Sequence, residues 1–234
     1  MLHPKKKISK KEIKQDTLLT TYAQATTYYY ENKKYINYAM TAVIVIVIGI
    51  IIYTNNRNAN NVKAATELGK VFGLYDAAAN NPSQFKLAID GQPERGIMGL
   101  KALVDNYGGT ESGQLARFYL ATAYLNLGRY DEALRNFEDF SGGGTLLKAV
   151  ALAGIARCYE AKGEPAKSAP YFEKAAGVSA KDLAVPDYLN SAARCYGLAG
   201  DRDKALNLYK RIKKEFPAST FAREADRYIS QFSA

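Results

Sequence analysis

The sequence predicts an all-α protein, with one long apolar helix near the N-terminus followed by a stack of paired helices. Two observations carry this. From Ile36 to Tyr53 there is no charged residue, and Val43 to Ile52 is Val and Ile interrupted only by Gly49. Beyond residue 114 a small residue, an aromatic three positions on and a glycine four positions after that recur in three copies: Ala121, Tyr124, Gly128; Ala156, Tyr159, Gly163; Ala193, Tyr196, Gly200.

The first element is a basic tail. Of the +9 formal charge, residues 1–35 contribute +5, from eight lysines against three acidic residues. Residues 54–234 hold 24 basic and 20 acidic residues, so only the tail is strongly basic. Lys5-Lys6-Lys7-Ile8-Ser9-Lys10-Lys11 has no core-forming pattern and is expected to be solvated. From Lys11 to Lys34, Leu18, Tyr22, Ala25 and Tyr29 share one face at helical spacing. This tyrosine-rich helix is an open candidate for binding a partner.

The apolar run comes next, at 36–53. At about 1.5 Å per residue, Tyr35 to Tyr53 covers about 27 Å, close to the ~30 Å hydrocarbon core of a bilayer. Nine Val or Ile residues favour insertion by roughly 3 to 5 kcal/mol, enough to carry Asn37 near the edge. Tyr28, Tyr29, Tyr30, Tyr35 and Tyr38 crowd the entry and Tyr53 the exit, as interfacial tyrosines do. A cleaved signal peptide fits poorly, because about 35 residues precede the run and no small-x-small site follows it. Lysines retained on the cytoplasmic side put the tail inside and the large domain outside. They serve orientation and anionic headgroups, and nucleic acid is not the expected partner.

After the span, 54–61 reads as a polar linker, Thr54-Asn55-Asn56-Arg57-Asn58-Ala59-Asn60-Asn61. Residues 62–113 read as irregular paired helices, one from Val62 to Asn80 ended by Pro82 and one from Glu94 to Tyr107. Three regular units fill 114–218, and 219–234 is a terminal helix with one wet face, Arg223, Glu224, Asp226 and Arg227, to cap the stack.

No catalytic constellation is present, and the chain is read as non-enzymatic. The only histidine is His3, in the tail, and there is no phosphate loop, Gly-x-Ser-x-Gly or His-Glu-x-x-His motif. Neither a cofactor nor a metal is expected. Cys158 and Cys195 occupy equivalent places in adjacent units, where helices about 10 Å apart are too distant for a disulfide, so two buried thiols are expected.

The signature and period resemble the tetratricopeptide repeat, a helix-turn-helix unit of about 34 residues that stacks into a right-handed solenoid. In that family the small residue of the first helix admits the second, the aromatic fills the gap, and Ala133, Ser168 and Ala205 with Phe137, Phe172 and Tyr209 play the corresponding parts in the second helix. The resemblance implies a concave groove lined by first helices, here Leu115, Phe118, Thr122 and Leu125, then Arg157 and Glu160, then Asn190 and Arg194. An extended or helical peptide suits that mixture, with the arginines available to carboxylates. The Lys and Asn clamp of tetratricopeptide cochaperones is replaced by Phe118 and Thr122, so that activity does not carry over.

The whole arrangement resembles the membrane-anchored YfgM-type proteins, ancillary subunits of the SecYEG translocon, through Tyr29-Tyr30-Glu31-Asn32-Lys33 before the span and degenerate repeats after it. The stretch from Tyr107-Gly108-Gly109-Thr110 to Tyr124-Leu125-Asn126-Leu127-Gly128 is similar to tetratricopeptide proteins of Bacteroidota and Chlorobi. The resemblance implies a scaffold or chaperone-like adaptor at a bacterial inner-membrane complex such as the translocon, with the repeats in the periplasm. The alternatives are a cell-envelope assembly or division coordinator, and an organelle import receptor with cytosolic repeats.

Overall fold

The computed structural model describes the backbone of residues 10–78, 81–178 and 183–233. His3, Lys5 to Lys7 and the side chain of Leu18 lie outside what is described. The chain forms two units, 1–56 and 57–234.

Helix α1 runs from Lys10 to Ala77, 68 residues without a break. This differs from the expected linker at 54–61, which is helical throughout. Asparagine is a weak helix former, but the deficit is well under about 1 kcal/mol per residue. Two long-range bonds hold this segment in place: Arg57 Nε donates to the Gly109 carbonyl (3.2 Å), and Asn61 Oδ1 accepts from the Ser112 N–H (2.8 Å).

Within the first unit, Val43 to Ile48 and Ile50 to Ile52 present their side chains outward, with no protein core around them. By length and composition α1 is the one described helix apolar enough to cross a membrane.

The second unit is a stack of antiparallel helix pairs. After α1 come α2 (Gln84–Asp90), a two-residue hairpin of β1 (Gly91–Gln92) and β2 (Ile97–Met98), and α3 (Leu100–Tyr107). The expected helix over 94–107 is therefore shorter. Pro93 to Arg95 form a single 3-10 turn, and Gly96 in the left-handed region (φ 66°) turns the chain back into β2. The regular array follows as α4 (Glu111–Asn126), α5 (Tyr130–Glu138), α6 (Thr145–Ala161), α7 (Pro165–Val178), α8 (Val185–Leu198) and α9 (Arg202–Glu215), and α10 (Thr220–Ser233) ends it.

One turn chemistry is used three times. Gly128, Gly163 and Gly200 follow α4, α6 and α8 at φ 73°, 74° and 86°, a region that side chains with a Cβ resist. After each, the next N–H donates back to the carbonyl of the repeat tyrosine: Arg129 to Tyr124, Glu164 to Tyr159 and Asp201 to Tyr196, all at 2.9 Å. That six-to-one bond is the Schellman termination, and it reverses the chain into the second helix. A cation then covers each tyrosine ring, Arg129 at 4.5 Å, Lys167 at 5.6 Å and Lys204 at 4.9 Å from the centroid.

The small positions do what close packing requires. Ala121, Ala156, Ala193, Ala133, Ser168 and Ala205 are all completely buried. Ser168 is tolerated there because its hydroxyl donates to the Ala156 carbonyl at 2.8 Å. At Gly154 a Cβ would lie 2.5 Å from the Phe137 ring, so the absent side chain lets α5 and α6 meet. Two apolar clusters result, one from Leu68 through Phe137 to Cys158 and one from Ala149 to Ala225. Cys158 and Cys195 belong to different clusters, and both are buried free thiols.

Buried tyrosines couple the stack to alkaline pH. Burial pushes Tyr75, Tyr196 and Tyr209 from the ordinary 10.0 to about 12, and the Tyr196 hydroxyl also donates to Glu173 at 3.0 Å. The unfolded chain therefore loses these protons first, so their contribution to stability is complete below about pH 10 and disappears as pH rises towards 12. In an alkaline titration, part of the phenolate absorbance should appear only as helical circular dichroism is lost. Complete tyrosine ionisation near pH 10 with the helices intact would contradict this.

Candidate functional site: the row of first helices

The first helices of successive pairs lie side by side and run in the same direction. Residues 57–77 of α1 are the first of them, since Asn61 meets Ser112 at the start of α4 and Tyr75 packs on Tyr119 further along it. Gln114 in the first turn of α4 accepts from Ser141 N–H, just before α6. Near the far ends of α6 and α8, Arg194 is ion-paired with Glu160.

The eight expected groove residues divide between two environments. On α4 the face is occupied by the protein itself. Tyr75 packs on Tyr119 at 4.9 Å between centroids, and Phe72 on Tyr119 at 5.5 Å. The Thr122 hydroxyl donates to the Phe118 carbonyl (2.9 Å). Leu115 and Leu125 are half-buried against the first cluster. Phe118 is a core residue, 9% exposed, with the rings of Phe140, Tyr119 and Phe137 at 5.6, 5.9 and 6.1 Å. Its place in the groove is thus corrected: the family register aims this position at a ligand, but here Phe140 and Phe137 enclose it.

On α6 and α8 the row is open. Arg157 is exposed and has no ion pair among the described residues. Glu160 and Asn190 are half-buried, and Arg194 is exposed. The Glu160 carboxylate accepts from Arg194 and favours its charged form further, so of the two expected arginines only Arg157 has its charge uncommitted. The sequence did contain a signal for this pair, since opposite charges 34 residues apart, close to one repeat period, sit side by side in such a stack. Tyr75 and Phe72 were missed because their segment lacks the glycine and small-residue signature of a regular unit.

Two polar clefts lie away from this row. A cleft of about 430 Å³ is lined by Arg57, Gly108 to Glu111, Gln114 and Ser141 to Gly144. Another of about 480 Å³ holds Asp131 with Lys162, ion-paired at 2.6 Å, and Glu164 with Lys167. The Lys162 ammonium pulls the Asp131 carboxyl below the usual range, so that pair is charged and mutually satisfied rather than poised for proton transfer. No cluster of three or more metal-ligating side chains occurs among the described residues.

Sequence-family comparison places the tetratricopeptide repeat on residues 115–141 and 191–219 and, with a second profile of the same repeat, on 151–185. These segments are tetratricopeptide repeats. The matches fall on the α4–α5, α6–α7 and α8–α9 pairs, each displaced a little towards the C-terminus. Among solved structures the chain is similar to the tetratricopeptide-like repeats of a protein from Podosopora anserina named for kinesin light chain. TM-score is 0.54 and identity 16%, over 72% of this chain and 86% of that one. A variant of the same protein gives the same score and identity over 85% of its length. Such likeness concerns the fold, a tetratricopeptide solenoid. No curated protein matches the chain. Tetratricopeptide units are interaction scaffolds, typically without catalysis, and they bind protein partners.

Proposed function

We propose that the protein is a non-enzymatic, membrane-anchored adaptor that holds a carboxylate-bearing protein segment against the α6–α8 part of its tetratricopeptide row. The observation that supports this most is Arg157, an exposed guanidinium on the row of first helices with no ion pair among the described residues, beside a Glu160–Arg194 pair that is already satisfied. A planar guanidinium recognises a carboxylate through two parallel hydrogen bonds.

The anchor rests on α1. Val and Ile are poor helix formers in water, yet Val43 to Ile52 is helical throughout, and its nine Val and Ile side chains face outward. In hydrocarbon the same run is favoured, because a helix satisfies every backbone polar group internally. We place the lysine-rich tail in the cytoplasm and the repeats in the periplasm of a bacterial inner membrane, following the lysine distribution. A translocon-associated, chaperone-like role of the YfgM type is the specific form this reading takes.

Cross-linking in native membranes, with mass spectrometry of the adducts, tests the groove. Arg157→Glu should remove the partner adducts seen with the unaltered chain while leaving helical content unchanged. An unchanged adduct set would move the working surface to the convex face or to the tyrosine-rich helix.

A further inference from the structure

One edge of the solenoid carries exposed leucines that its own fold does not use. The first helices run parallel to residues 57–77, so the loops that precede them lie on the edge where Arg57 begins the second unit. Arg57, Gly109, Glu111 and Ser141 to Gly144 meet there in one cleft. Leu146, in the first turn of α6, is 56% exposed, and Leu183, two residues before α8, is 96% exposed. At the opposite edge the same helices end in their glycine turns.

We infer that this edge rests on the bilayer surface, with Leu146 and Leu183 entering the headgroup and upper acyl region and the Arg57 guanidinium meeting lipid phosphate. The inference rests on the membrane anchor proposed above. Arg57 is four residues beyond Tyr53, the end of the apolar run. Even fully extended, four residues span at most about 14 Å, so Arg57 stays within reach of the headgroups whatever course the backbone takes. A leucine in a loop there exchanges water for lipid, and an arginine beside it can pair with phosphate while its aliphatic stem stays apolar. Arg57 Nε already donates to Gly109, and its two terminal nitrogens are left for the headgroup.

The chain contains no tryptophan, so a single introduced one reports without background. Full-length protein carrying Leu146→Trp, Leu183→Trp, Leu198→Trp or Val47→Trp, one at a time, is reconstituted into phosphatidylcholine vesicles with or without brominated acyl chains. Leu198, the last residue of α8 and 67% exposed, reports on the opposite edge. The brominated lipid should reduce emission at Val47→Trp, Leu146→Trp and Leu183→Trp by about twofold or more and leave Leu198→Trp unchanged. Quenching of Val47→Trp without that of Leu146→Trp and Leu183→Trp overturns the lipid contact and leaves the anchor standing, as would follow if the leucines met a protein. Absence of quenching at Val47→Trp removes the anchor, and this inference with it.

Discussion

Phe118→Ala should destabilise the second unit by about 3 to 5 kcal/mol, whereas Arg157→Ala should change its stability by no more than about 0.5 kcal/mol. The contrast follows from burial. Phe118 is 9% exposed, enclosed by the rings of Tyr119, Phe137 and Phe140, so its removal leaves a cavity where three aromatic edges lose their contact. Phe118 belongs to the first apolar cluster, with Leu68, Val71 and Leu120. Arg157 is exposed and makes no ion pair among the described residues. Denaturant unfolding of the two variants measures the difference, and equal stabilities would mean that Phe118 is a surface residue after all.

That pair of residues also marks where sequence reasoning reached its limit. The helix-turn-helix units were legible because their determinants are local: a glycine that adopts a positive φ, an aromatic three residues after a small side chain, and the recurrence of both. Gly128, Gly163 and Gly200 with Tyr124, Tyr159 and Tyr196 each specify their own turn. Phe118 was misplaced because the register of a helix tells which way a side chain points but not what another segment brings against it. Phe140, 22 positions later and beyond the end of α5, carries no mark of that contact in the sequence. The same holds for Tyr75, whose ring packs on Tyr119. The asparagine-rich segment at 54–61 has the composition of a connector, yet it is helical, with Arg57 and Asn61 bonded to the backbone of Gly109 and Ser112. Arg157 was legible as an open cation, but the neutralisation of Arg194 by Glu160 needed the two helices side by side.

The second large effect concerns the proposed anchor. Removing residues 36–53 should transfer the protein from the membrane to the soluble fraction, because nine Val or Ile residues favour insertion by roughly 3 to 5 kcal/mol and no other described helix is apolar enough to replace them. The repeats should fold unchanged, since both apolar clusters lie at Leu68 and beyond. Partner capture in cells should fall much further than intrinsic affinity, since confinement to a membrane raises effective concentration and lets a weak contact suffice.

A photo-activated cross-linker placed at Arg157, in the full chain and in the chain lacking 36–53, tests both halves of the account in one measurement. The full chain should yield adducts to a protein partner in the membrane fraction, and the shortened chain should lose them in cells yet recover them when mixed at high concentration with solubilised membranes. Equal adducts from both chains in cells would show that the anchor is not what brings groove and partner together. No adduct from the full chain, where a cross-linker on the exposed face of α7 at Lys174 does give one, would show that the row of first helices is not the binding surface.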